Sequence, residues 1–336
     1  MSEGTTRPLR AAVIGLGSMG RNHVRVWDEA VDGVELVAIA DPDPEALRRA
    51  SDGRRVRAYA DAGAMLAEES LDLVSVAVPT SMHLPATLAA LGSGAHVLVE
   101  KPIAASREEA EAMIAAATDA GRILSVGHIE RFNPAIRELR RRLAAGELGR
   151  IFEIRATRLG PFPARIRDVG VVLDLAPHDL DVMRYLIGSD PVRVYGETER
   201  RIHTDHEDLF AGLLRFANGA VGVLDINWLT PTKQRTLTVT GERGMFTADY
   251  LAQDLVRWAN PADATVAEGD REPIAVERRE PLVVELEEFA RAVRDGGPAP
   301  VDPHEAMVAL LLARALVDSA NSGSAIAGPA LAAVLA

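Results

Sequence analysis

The chain has 336 residues, 48% hydrophobic and 26% charged, with a net charge of −12 and no cysteine. That composition gives a folded chain of about two domains and argues against a broad surface for nucleic acid. It also excludes disulfides, thiolate catalysis and sulfur-ligated metals, and no apolar stretch reaches the ~20 residues of a membrane helix. The first ten residues, "MSEGTTRPLR", lack an apolar signal core, so a cytoplasmic protein is expected.

From Leu9 onward, short apolar runs alternate with amphipathic ones. "RAAVIG", "VELVAIAD", "LDLVSVAVP", "AHVLVEKP" and "RILSVGH" read as buried strands. Helical stretches separate them: "RNHVRVWDEA", "DPEALRRA", "AGAMLAEE", "LPATLAALGSG" and "REEAEAMIAAATDAG", the last capped by Ser106. This alternation predicts a doubly wound parallel sheet, a Rossmann-type domain over residues 1–125.

Past Val126 the texture changes. After the helix in "NPAIRELRRRLAAGELG", strands follow one another: "IFEIRATRL", "PVRVYGETER", "EDLFAGLLRFANG", "AVGVLDINWL", "RTLTVTGERG", "GMFTADY" and "DLVRWANP". The Asn-Gly in "FANGAVGVL" marks a hairpin. An α+β domain over 126–336 is expected, with a large, mostly antiparallel open sheet. One helix near 175–187 interrupts it, starting near Leu175 because Pro177 suits only a first helical turn. A helical pair, "LVVELEEFARAVRDGG" and "PHEAMVALLLARALVDSANSG", ends the pattern.

Several motifs carry chemistry. "GLGSMG", Gly15, Leu16, Gly17, Ser18, Met19 and Gly20, is a G-x-G-x-x-G between a strand and a helix. Its glycines allow a tight turn, close approach of a pyrophosphate and close helix packing, and the helix N-terminus supplies donors. Asp41 ends the next strand, where a carboxylate bonds ribose hydroxyls and favours NAD over NADP. Arg48 and Arg49 lie downstream and leave NADP open. "AVPTSMH" puts Pro79, Thr80 and His83 at the cofactor edge of the sheet, and "EKP" puts Glu100 and Lys101 at a strand end behind Pro102. In "DLAPHDLD", Asp174 and His178 stand four apart at a helix start, an arrangement suited to an acid/base imidazole oriented by a carboxylate. His203 and His206 suggest a metal clip, but without a matching distant ligand they read as loop residues, and no metal is expected.

The glycine fingerprint, "EKP" and "D-x-x-x-H-D", in that order, resemble the glucose–fructose oxidoreductase / inositol dehydrogenase (Gfo/Idh/MocA) family from about Leu9 to Ser322. The resemblance implies a catalytic set of Lys101, Asp174 and His178, a cis bond before Pro102, bound NAD, and a homodimer or homotetramer formed through the C-terminal sheet. "VGHIERFNPAI" and "DVGVVLDLAPHDLDVMRYL" look most like the sugar-nucleotide branch, which implies oxidation at C3 of UDP-N-acetylglucosamine. His128, Arg131 and Asn133 would then lie near the sugar or its phosphates, with Arg158, Arg165 and Arg167 near the diphosphate. A departure is "DVGVVL", where Gly170 stands alone in place of the family's paired glycines. Other readings are an inositol or free-sugar dehydrogenase, a keto-sugar reductase, an NAD-using glycosidase and a dinucleotide-sensing regulator.

Overall fold

The computed structural model describes residues 7–163, 169–203, 205–260 and 269–335. Their contacts divide into two units, 1–129 with 280–307, and 130–279 with 308–336.

The first unit alternates strand and helix: β1 (Leu9–Ile14), α1 (Ser18–Glu29), β2 (Val34–Ala40), α2 (Pro44–Ser51), β3 (Arg57–Tyr59), α3 (Ala62–Glu68), β4 (Leu73–Val76), α4 (His83–Gly92), β5 (His96–Glu100), α5 (Arg107–Asp119) and β6 (Leu124–Gly127). The strands form one parallel sheet in the order 3-2-1-4-5-6. Order reverses between β1 and β4, so a crevice opens at their carboxyl ends, where such sheets take ligands. Side chains from Ala11 to Ile14 and from Leu73 to Val76 are buried, as strands covered on both faces require. Local capping fixes the helix starts. Asp43 accepts from Glu45 N–H before Pro44, Asp61 from Ala64 N–H and Ser106 from Glu109 N–H. β3, only three residues long with two of them exposed, has no apolar run to announce it.

The second unit begins with α6 (Pro134–Ala144), β7 (Ile151–Pro161) and α7 (Val171–Ile187). It continues through β8 (Pro191–Glu199), β9 (Leu209–Phe216), β10 (Val221–Asn227), β11 (Leu229–Gly241), β12 (Gly244–Asp249), β13 (Asp254–Ala259) and β14 (Asp270–Ile274). Then come α8 (Pro281–Asp295), α9 (Pro303–Ser322), β15 (Ile326–Ala327) and α10 (Pro329–Leu335). Among the described residues, nine strands form one sheet, 14-13-12-11-7-10-9-8-15, antiparallel except for the β7–β10 pair. The Asn218–Gly219 turn joins β9 to β10 as expected, with Gly219 at φ +91°. Alternation puts one face inward: Ile154, Phe210, Leu214, Leu224, Leu237, Val239 and Phe246 share a core with Val172, Leu180 and Met183 of α7. α8 belongs to the first unit, where Leu282, Leu286 and Phe289 join Val24 and Trp27 of α1.

On α6, Glu138 accepts from Arg141 (2.7 and 2.8 Å) and Arg142 (2.8 Å). The Arg141 hydrogen bond, outweighing partial burial and helped by Arg142, lowers its carboxyl to about 2. A depressed folded value means that this stabilisation is full above the unfolded value of 4.5 and fades as pH falls toward about 2. Arg141 is well exposed, so solvent screening keeps this contribution small. Glu138→Gln should therefore lower Tm by a few degrees at about pH 6, with the gap closing on acidification to about pH 3. A gap that is constant with pH contradicts this.

Candidate functional site

The glycine loop is built as its spacing predicts. Gly15 has φ +89°, and a Cβ there would lie 2.6 Å from the Ala77 carbonyl oxygen. A Cβ on Gly20 would lie 1.8 Å from the Gly15 carbonyl oxygen, so only glycine lets α1 approach β1 this closely. Gly17, the N-cap of α1, faces open space, which leaves the loop's surface clear for a diphosphate at the helix N-terminus. Leu16, Ser18 and Met19 complete this cradle. The Asp41 carboxylate accepts from Leu16 N–H (2.6 Å) and Asp43 N–H (2.8 Å), bracing the loop from the end of β2. These features fit a dinucleotide.

Pro79 and Thr80 open a 3₁₀ turn after β4, at the same sheet edge. His83 corrects its expected role at the cofactor. Its ring is buried, with Nδ1 facing the Pro102 and Ile103 carbonyls (2.9 and 3.3 Å) and Nε2 facing the Val78 carbonyl (3.1 Å). Burial, only partly offset by these carbonyls, lowers its pKa. The ring ties the end of β4 to the segment after Lys101. The Lys101–Pro102 bond is cis, as the resemblance implied.

Lys101 is half-buried at the end of β5. Glu100, also expected at the cofactor, turns its carboxylate to the buried His23 ring (Nε2, 2.8 Å). Burial would raise this carboxyl. The His23 hydrogen bond, the field of that ring in its charged form, the Lys101 charge and the Lys101 amide outweigh burial and hold it below its usual range.

The second unit carries Asp174 and His178, one helical turn apart and both half-buried. The helix that bears them starts at Val171, one turn earlier than Pro177 predicts. The reason is a tertiary cap: the Glu207 carbonyl accepts from Val171 N–H (2.9 Å), and its carboxylate accepts from Val172 N–H (3.1 Å). Pro177 therefore sits in the second turn, buried in the unit's interior. Gly170 leaves room for that carboxylate, because a Cβ there would lie 2.0 Å from Glu207 Oε1 and would displace it. Gly170→Ala should expel the Glu207 cap and cost about 1–2 kcal/mol. Glu207→Ala should cost a similar amount and remove the extra penalty of Gly170→Ala. Additive losses in denaturant titrations contradict this.

The arginines expected at the diphosphate have other partners. Arg158 is buried on β7, paired in bidentate fashion with Asp179 (2.8 and 3.0 Å) and bonded to Glu130 (3.1 Å). Despite burial, the Asp179 and Glu130 charges raise its pKa. Arg131 is buried and paired in bidentate fashion with Asp181 (2.6 and 2.7 Å). Asn133 caps α6 at Ala135 N–H (3.1 Å) and donates to the Tyr250 carbonyl (3.0 Å). These three hold α6, α7 and the sheet together, because buried charges and amides need internal partners. His128 is buried just past β6. Arg165 and Arg167 lie outside the described residues. His203 and His206 pack edge to face (ring centroids 5.0 Å apart), and His203 also stacks on Trp228, an aromatic cluster.

The sequence reading missed His23 and Glu207. His23 stands in the buried 20-23-24-27 stripe of α1, and a polar residue in such a stripe is the available signal.

Both parts of the chain resemble known proteins. Residues 9–128 match the family profile described as "Oxidoreductase family, NAD-binding Rossmann fold", and 136–247 match the "GFO/IDH/MocA C-terminal domain". The chain is 32% identical over 287 residues to UDP-N-acetylglucosamine 3-dehydrogenase of Acidithiobacillus ferrooxidans, covering 85% of this chain and 88% of that protein. It is 28% identical over 322 residues to myo-inositol 2-dehydrogenase of Thermotoga maritima, covering 90% and 94%. The solved structure of the Acidithiobacillus ferrooxidans enzyme superposes with a TM-score of 0.86 at 28% identity, covering 94% of this chain and 99% of that one. The chain is thus a member of the Gfo/Idh/MocA oxidoreductase family, an NAD-binding dehydrogenase of CH–OH groups.

Proposed function

We propose that this enzyme oxidises the C3 hydroxyl of UDP-N-acetylglucosamine. The observation that carries this is the 32% identity to an enzyme of that name across 85% of this chain. The glycine loop, with Gly15, Gly17 and Gly20, holds the pyrophosphate of NAD, and Asp41 takes the ribose hydroxyls and disfavours a 2′-phosphate. Bound NAD supplies the electron-pair acceptor at its nicotinamide. His178 takes the hydroxyl proton, Asp174 orients its ring, and Lys101 polarises the same oxygen. Pro79 and Thr80 flank the cofactor, and His128 lies toward the sugar. Arg165, with Arg167, meets the diphosphate, the role that buried Arg131 and Arg158 do not have.

Residues 1–125 serve the cofactor, and those from 126, apart from the 280–307 segment that belongs to the first unit, serve the substrate and the contact between copies. The outward face of the large sheet carries a cross-strand row of Tyr195, Leu213, Val223 and Arg155, with Leu213 50% exposed. That row suits a homodimer or homotetramer. The cysteine-free chain suits the reducing cytoplasm.

A second reading is oxidation of a free cyclitol, favoured by the likeness to inositol 2-dehydrogenases. Absorbance at ~340 nm with NAD and a panel of UDP-sugars, free sugars, inositols and aryl glycosides separates these. Rapid NADH formation with UDP-N-acetylglucosamine is the expected result. Turnover of inositol alone supports the second reading, and glycoside cleavage without NADH overturns both.

A further inference from the structure

Four buried side chains of the first unit form a hydrogen-bond chain that ends beside Lys101. Trp27 Nε1 donates to Ser75 Oγ (2.8 Å). Ser75 Oγ lies 3.1 Å from His23 Nδ1, and His23 Nε2 lies 2.8 Å from Glu100 Oε1. Trp27, Ser75 and His23 are at most 1% exposed, and Glu100 is 8% exposed. The direction of the chain follows from its ends. An indole N–H can only donate and a carboxylate can only accept. Ser75 therefore accepts a hydrogen bond from Trp27, and among the described residues the acceptor it contacts for its own hydrogen is His23 Nδ1. That leaves the ring's proton on Nε2, pointing at Glu100. An imidazolium would donate to Ser75 as well, and would strand the serine hydrogen in the core, a cost of about 1–3 kcal/mol.

The chain also joins two working parts. His23 is in the second turn of α1, whose first turn follows the glycine loop, and Glu100 immediately precedes Lys101. Gly127 on the neighbouring strand makes room, because a Cβ there would lie 3.1 Å from the Glu100 carboxylate.

We propose that His23, as a neutral donor on Nε2, is a positioning residue: it fixes the Glu100 carboxylate and, through it, the strand end that presents Lys101, in register with the glycine loop. This rests on the reading that Lys101 acts on the substrate. Two measurements test it, one without turnover. Long-range proton–nitrogen spectra of the intact, histidine-labelled protein, with His23 assigned by its loss in His23→Gln, should show a bare Nδ1 and a protonated Nε2 at about pH 7. An imidazolium or the opposite tautomer overturns the proposal, whatever the enzyme's substrate proves to be. In steady-state assays, His23→Leu should lower kcat about 10- to 100-fold with the KM for NAD changed less than about threefold. His23→Gln, which keeps a neutral donor at the Nε2 position, should stay within about threefold of the parent. Equal losses in both variants, or a loss confined to NAD binding, overturn it. A parent enzyme that reduces no cofactor defeats the functional reading and leaves the tautomer to decide this one.

Discussion

Lys101→Met is expected to lower kcat for sugar oxidation about 10³-fold or more while NAD still binds. The lysine is half-buried at the end of β5, which neighbours β4 at the point where the sheet order reverses. Methionine keeps the side chain's volume and removes the charge. A positioned acid/base group contributes about 10²–10⁴ in rate, and polarisation of the reacting oxygen adds to this. His178→Asn should lose about as much. On the proposed mechanism, the double variant should lose little beyond either single one, because the effects of residues that serve one step are not additive. Single-turnover absorbance with preloaded NAD reads the chemical step. A Lys101→Met enzyme within about tenfold of the parent contradicts the assignment.

The second large effect is on stability. Arg158→Met should destabilise the second unit by about 3–5 kcal/mol, lowering Tm by roughly 10 °C. The guanidinium is shared by Asp179 and Glu130, so its removal leaves two buried carboxylates facing each other. Tyr250, its pKa pushed well up by burial and these same charges, stays a neutral phenol and adds no third negative charge, but it does not replace the lost positive one. Asp179→Ala should also be costly, since it leaves Arg158 with Glu130 alone. Arg158→Met combined with Asp179→Leu should lose less than the sum of the two, because the double change removes charge from the core in pairs. Guanidinium titrations at neutral pH check this. Single variants that cost less than about 1 kcal/mol contradict it. Asp179 directly follows His178, so the ion pair also fixes the helix at the proposed acid/base residue.

Much of the fold was legible because burial writes a period into the chain. The five long parallel strands read as continuous apolar runs, and the second sheet read as alternation with turn signals. β3, β14 and β15 were not legible, since short or exposed strands bury too little to leave a pattern. The glycine loop was legible because the backbone alone dictates it. Arg131, Arg158 and His83 misled for the opposite reason. A basic or imidazole side chain has the same letter whether it meets a ligand or a buried internal partner, and only tertiary geometry supplies Asp181, Asp179 and the Val78 carbonyl. The early start of α7 depended on Glu207, more than thirty residues away, which no local rule connects to Gly170.

The most direct test follows one hydrogen atom. With UDP-N-acetylglucosamine deuterated at C3 and unlabelled NAD, the product NADH should carry the deuterium at the nicotinamide C4, read by mass and proton spectra. Unlabelled NADH, or labelled substrate consumed with no reduced cofactor, would contradict direct transfer from that carbon.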